Sequence, residues 1–155
     1  MTARENKDIT IRAMANKDID AVYEIDRKLT GEDRTLTLTE EERVVTLTDL
    51  ITGSFDLSFV AESEGRVVGF ILAEHSHVGE PVVDAGLIQA MGILPEYQRQ
   101  YIGMQLFNEL VVRAMAKGIK LLRVMLRERD SRLKDFFAEM GFQRAPLMVY
   151  DKSLK

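Results

Sequence analysis

A chain of 155 residues can bury one proper core, and 46% hydrophobic with 30% charged residues describes a globular protein of a single domain, 1–155. A net charge of -4 argues against nucleic acid or an anionic membrane as the main partner, and no apolar run reaches membrane-spanning length. The lack of cysteine excludes disulfides, thiolate metal sites and an acyl-cysteine intermediate, while Met1 to Arg12 lacks the apolar core of a secretory signal, so a cytoplasmic location is expected.

Ile9-Thr10-Ile11 alternates as a short strand. Asn16 or Asp18 can cap a helix carrying Ile19, Val22, Ile25, Asp26 and Leu29, which Gly31 ends. Thr30 to Thr39 is a polar loop. Thr39 with Glu42 forms a capping box that opens a helix through Val44, Leu47 and Ile51 to Gly53. Phe55 to Ala61 and Arg66 to Glu74 read as strands joined by a hairpin at Glu62-Ser63-Glu64-Gly65, and His75 to Asp84 as a second polar connection. Leu87 to Leu94 is an apolar strand bounded by Pro95. Leu106, Leu110 and Ala114, with Phe107 and Val111, recur at helical spacing until Gly118. Ile119 to Leu126 alternates again. Asp130 or Ser131 then caps a helix bearing Leu133, Phe136, Phe137 and Met140, stopped by Gly141, and Leu147 to Tyr150 is a last strand. The order β-α-α-β-β-β-α-β-α-β is an α/β layer architecture with a mixed sheet.

The stretch most suited to chemistry follows the central strand. Between Ile93 and Leu106 the chain passes from strand through a short polar turn into a helix, whose first turn has unpaired N–H groups and the positive end of the helix dipole. A turn holding Arg99 and Gly103 there suits an anion such as a pyrophosphate. Neither a Walker loop nor a dinucleotide fingerprint is present. Gln98-Arg99-Gln100-Tyr101-Ile102-Gly103, preceded by Pro95-Glu96-Tyr97, instead resembles the Gln/Arg-x-x-Gly-x-Gly/Ala motif of the GNAT (Gcn5-related) N-acetyltransferases. Tyr101 stands where that family usually has its first glycine. Arg66-Val67-Val68-Gly69-Phe70 and Phe137-Ala138-Glu139-Met140-Gly141-Phe142 also resemble segments of the family, and the order of elements matches over roughly residues 8 to 152.

The resemblance implies a mostly antiparallel central sheet flanked by helices, acetyl-CoA as cofactor, and acetyl transfer to an amine by direct attack in a ternary complex. The amine is a small molecule or peptide, and a homodimer is an expectation for proteins of this kind. Gln98, Arg99, Gln100, Tyr101, Ile102, Gly103 and Met104 would hold the pyrophosphate. Met91, Gly92 and Ile93 would pair with the pantetheine arm, the Ile93 N–H polarising the thioester carbonyl, with Gly92 allowing a bulge or a close ligand approach. Asp130 would lie near the cofactor, its plainer reading being a helix cap. Phe137 replaces the tyrosine that protonates coenzyme A in many members, and Leu87 replaces a glutamate base. Gln89 could hold a water, while Glu74, His75, Asp84, Glu32 and Asp33 are candidate bases and Tyr101 and Tyr150 substitute acids. His75 and His77 have no third ligand placed by sequence, so no metal is expected. Arg123, Arg127, Arg129 and Arg132 form a solvated rim or a contact for the adenosine phosphate. The rival readings are a sensor that binds acyl-CoA without turnover and a structural domain whose Tyr101 closes the groove.

Overall fold

A computed structural model describes residues 8–29, 56–78 and 83–154, in two compact units, Met1–Met125 and Leu126–Lys155. The helix expected from Thr39 to Gly53, the Thr30–Thr39 loop, Glu32 and Asp33 lie outside the described residues.

The first unit is a five-stranded sheet whose strands lie side by side in chain order: β1 (Ile9–Ala13), β2 (Phe59–Ser63), β3 (Arg66–Val78), β4 (Val83–Ile93) and β5 (Leu121–Val124). Neighbours are antiparallel except β4 and β5, which run parallel, so the sheet is mixed and mostly antiparallel. The β2–β3 hairpin closes through Glu64 and Gly65 alone, at φ 50° and 77°, because Ser63 pairs with Arg66. Two successive positive φ values match the twist of the flanking strands.

Helix α1 (Ile19–Leu29) buries Val22 and Ile25 on one face of the sheet. It sits so close that a side chain on Gly92 would meet Leu29 Cδ1 at 2.7 Å and Phe70 Cε1 at 2.9 Å. Helix α2 (Ile102–Ala116) buries Ile102, Leu106, Phe107, Leu110 and Ala114, the stripe that the helical spacing predicts. Ile102 packs beside Gly69, and Gly69 and Phe70 as strand neighbours face opposite sides, so α1 and α2 cover opposite faces.

Arg12 ties the start of the chain together. Its Nε reaches Glu62 Oε1 at 2.6 Å on β2, and its other nitrogens grip both carboxylate oxygens of Asp18 at 2.8 Å. Asp18 also accepts from the Ala15 N–H at 2.8 Å, closing the turn that leads into α1. Burial pushes the Asp18 carboxyl up, but Arg12 and the Ala15 N–H outweigh it and hold the group below its ordinary value.

Several boundaries differ from the sequence reading. The second strand starts at Phe59 and runs to Ser63, while the fifth is shortened to Leu121–Val124. His75 to Asp84 is no mere connection: β3 continues to Val78 and β4 begins at Val83, with His77 opposite Asp84 and Ser76 opposite Ala85. Those side chains are polar because the hairpin end is wet, not because the chain turns there. Leu147 to Tyr150 is not a strand, and its side chains are exposed. Apolar composition makes a strand only where a neighbour accepts its backbone bonds, and these residues have none among the described ones. Gly92, read as allowing a bulge or a close ligand approach, pairs regularly with Phe70, and the bulge lies at Gln89: Leu72 pairs with Ala90 and Ala73 with Ile88, leaving Gln89 as the extra residue. Beside this step the buried Ser58 hydroxyl donates to the Ala73 carbonyl at 3.1 Å and accepts from its N–H at 3.0 Å, anchoring β3 where β2 has run out.

The second unit contains α3 (Ser131–Glu139). Phe142 N–H bonds to Phe137 O at 2.9 Å and Gly141 N–H to Ala138 O at 3.0 Å, with Gly141 at φ 94°. This paired arrangement is the Schellman end, and the Phe137 and Phe142 rings supply its apolar contact at 5.1 Å.

Candidate functional site

β4 pairs with β3 along its length but with β5 only from Ala85 to Ile88. Past the bulge, from Gln89 to Ile93, its other edge has no strand beside it among the described residues. Which groups face that gap follows from the ladder. Leu94 N–H bonds to Val68 O at 2.9 Å, so Leu94 turns its backbone toward β3. Antiparallel pairs alternate, so Ile93 (opposite Gly69) and Met91 (opposite Ile71) turn theirs the other way, into the gap. The edge can therefore pair with an extended chain that carries amides. Gly92 turns to β3, and its missing side chain makes room for Leu29 rather than leaving an opening.

The turn that follows is a single 3-10 turn, Pro95–Tyr97, after which the backbone is left-handed at Arg99 (φ 63°) and again at Tyr101 (φ 64°). Gln98 Nε2 donates to the Ile93 carbonyl at 2.9 Å and so holds the strand end, while Gln100 Nε2 donates to the Glu96 carbonyl at 3.3 Å and braces the turn. α2 then begins at Ile102 with Tyr101 before it and no side-chain cap. Its first internal bond runs from Gln105 N–H to Tyr101 O at 3.0 Å. The N–H groups of Ile102, Gly103 and Met104 meet no acceptor among the described residues. They lie at the positive end of a 15-residue helix, an arrangement that holds phosphate-type anions. The Tyr101 side chain is 65% exposed and Arg99 is exposed. Gln105 Oε1, in the same first turn, is buried without a partner.

Two pairs of candidate proton carriers are brought together. Gln89 Nε2 donates to Glu74 Oε1 at 3.2 Å, so the bulge residue holds one oxygen of the nearest carboxylate. Glu74 lies opposite Leu87 on the face that carries Leu72 and Phe70. His75 and His77 point to the other face, where Asp84 Oδ1 sits 2.7 Å from His77 Nδ1 and 3.5 Å from His75 Nε2. His75 is thus separated from Glu74 by the sheet itself. No group of His, Asp and Glu side chains among the described residues is arranged to hold a metal ion.

In the second unit the Asp130 carboxylate accepts from Leu133 N–H at 3.3 Å and so caps α3. Phe137 is buried edge-on to Phe136 and Phe142, both at 5.1 Å. Arg127, Arg129, Arg132 and Tyr150 are exposed, while Arg123 in the first unit lies on β5 opposite Leu87. Sequence reasoning missed the Gln98 link and the Gln89–Glu74 pair. The Gln98 link carries only a faint signal, a long amide placed five residues after a strand end. The Gln89–Glu74 pair carries none.

No curated protein matches this chain in sequence. Its fold is similar to that of a possible acetyltransferase from Clostridium difficile 630, with TM-score 0.80 at 17% identity over 96% of this chain and 99% of the other. A predicted acetyltransferase from Clostridium acetobutylicum, solved with acetyl-CoA, aligns with TM-score 0.76 at 16% identity, covering 93% and 96%. The aminoglycoside N-acetyltransferase AAC(6')-Iy, solved with a CoA-linked bisubstrate analog, aligns with TM-score 0.75 at 15% identity, covering 94% and 99%. The profile of the acetyltransferase (GNAT) domain matches residues 55–144, which include the open strand edge, the turn and α2. The chain is therefore a member of the GNAT acetyltransferase family.

Proposed function

We propose that residues 1–155 form one acetyltransferase domain that moves an acetyl group from acetyl-CoA to an amine by direct attack. One observation carries this reading. The open edge of β4 at Met91 and Ile93 leads, through a braced turn, into a helix start whose N–H groups have no internal acceptor. Strand-edge amides suit a pantetheine arm and the helix start suits a diphosphate, so the residues present fit coenzyme A. Acetyl-CoA supplies the activated thioester. The Ile93 N–H stabilises negative charge on its carbonyl oxygen, and the N–H groups of Ile102, Gly103 and Met104 hold the diphosphate, with Arg99 beside them.

Glu74 is the favoured base, because Gln89 holds one of its oxygens and leaves the other for a water or for the amine. A lysine-type amine has a solution pKa of about 10.4, so a positioned carboxylate that removes its proton matters near neutral pH. Phe137 cannot donate a proton to the leaving thiolate; a thiol of pKa about 8.5 leaves well enough with water as the source. A small-molecule amine is the favoured acceptor, by analogy with the aminoglycoside enzyme of similar fold. The alternative is a sensor that binds acetyl-CoA without turnover, favoured by Phe137 and Leu87 standing where acid and base are expected.

The test is a thermal shift with acetyl-CoA, followed by free-thiol release against a panel of amines. Stabilisation with release on an amine supports the enzyme, stabilisation without release supports the sensor, and no stabilisation overturns both. Glu74→Gln should lower kcat by about a hundredfold and leave the KM for acetyl-CoA unchanged. An unaltered kcat removes Glu74 from the mechanism.

A further inference from the structure

Gln98 makes one contact that reaches back to the strand. Its Nε2 donates to the Ile93 carbonyl at 2.9 Å, and because a carbonyl only accepts, the amide nitrogen must be the atom that faces it. That carbonyl is on the open edge of β4, since Leu94 bonds to Val68 and Ile93 alternates with it. A chain docking along an unpaired edge can settle in registers two residues apart, each offering the same kind of backbone groups. Gln98 biases this choice. With one lone pair of the Ile93 carbonyl already engaged by Gln98, the groups facing the gap with no such bond are the N–H of Ile93 and the N–H and carbonyl of Met91.

We propose that Gln98 is a positioning residue: by occupying the Ile93 carbonyl it fixes the last peptide planes of β4 and restricts an amide-bearing arm to one register. In that register the arm receives the Ile93 N–H and donates to the Met91 carbonyl. The proposal rests on the acyl-CoA reading above and adds to it what selects the thioester's position. Gln98 acts through Ile93, its side-chain amide being turned to that carbonyl and not to the start of α2, where sequence places it on the pyrophosphate.

Calorimetric titration of the full chain with acetyl-CoA and, separately, with ADP tests this, because ADP has the diphosphate and lacks the arm. Gln98→Glu places a carboxylate against the carbonyl and should weaken acetyl-CoA binding about tenfold while leaving ADP unchanged. Gln98→Met, of similar length and without charge, should give the same pattern and covers the case in which the glutamate disturbs folding. Gln98→Arg keeps a donor within reach and should recover acetyl-CoA affinity. If the wild-type chain binds ADP and acetyl-CoA while the glutamate and methionine variants bind acetyl-CoA as tightly, the positioning role is overturned. Equal losses for both ligands also overturn it, since Gln98 would then act on the turn. If the wild-type chain binds neither ligand, the acyl-CoA reading itself fails.

Discussion

The two helix starts at α2 and α3 solve one problem in opposite ways. At α3 the Asp130 carboxylate turns back to accept the Leu133 N–H at 3.3 Å, and the helix answers its own need. At α2 no side chain caps the first turn, and the residue before it is a tyrosine held left-handed at φ 64°. The entry into α1 belongs with α3, because Asp18 accepts the Ala15 N–H and is itself gripped by Arg12. Among the described residues, a chain able to cap α3 leaves bare the helix that follows the open strand. Donors without an internal acceptor are costly when nothing else meets them, so the contrast marks α2 as the end built for an outside anion.

The comparison can be broken at each start. Asp18→Ala removes the acceptor of Ala15 and leaves Arg12 with Glu62 alone; it should destabilise the fold by about 3 kcal/mol, measured by denaturant unfolding. The same carboxyl sets an acid dependence. Its folded-state pKa is depressed, so the unfolded chain binds the proton more readily. Its contribution is complete above the ordinary carboxylate range and is lost as the pH falls through the folded value. Asp18→Asn should abolish that part of the acid titration of stability.

Gly103→Asp gives α2 an anion of its own and makes it resemble α3. Acetyl-CoA affinity should fall about a hundredfold, read by titration, while the melting temperature holds or rises. Unchanged affinity would mean that this helix start is not the diphosphate site. Asp130→Ala uncaps α3 and should cost about 1 kcal/mol of stability, with acetyl-CoA affinity retained; a clear loss of affinity would give Asp130 a contact with the cofactor besides its cap. Tyr101→Gly should add under about 1 kcal/mol by relieving the left-handed backbone, with binding preserved. A gain in affinity instead would show the tyrosine ring in the way.

Much of the frame was legible because burial enforces it. Leu106, Leu110 and Ala114 announce α2, and Leu133, Phe136 and Phe137 announce α3, through a period that only a helix satisfies. Gly65 and Gly141 announce their turns because each sits at positive φ. The unread parts lack such a signature. Leu87 to Leu94 is apolar on both faces, so nothing in its pattern reveals that Gln89 is surplus. His75 and His77 look like loop residues because exposed strand ends and loops share the same polarity. The apolar run of Leu147 to Tyr150 misleads because strand formation depends on a neighbour that sequence does not name. The motif located the turn, but not the left-handed Arg99 or the reach of Gln98, which only the folded geometry supplies.

Gln89 makes β4 one step longer than the length of β3 it lies against. A ribbon longer along one margin than along the other has to curve, and the surplus residue sits just past the last pair with β5. The stretch of β4 that has no strand beside it among the described residues thus begins at a single surplus residue. Deleting that residue would equalise the margins and take the partner of Glu74 away with the curvature.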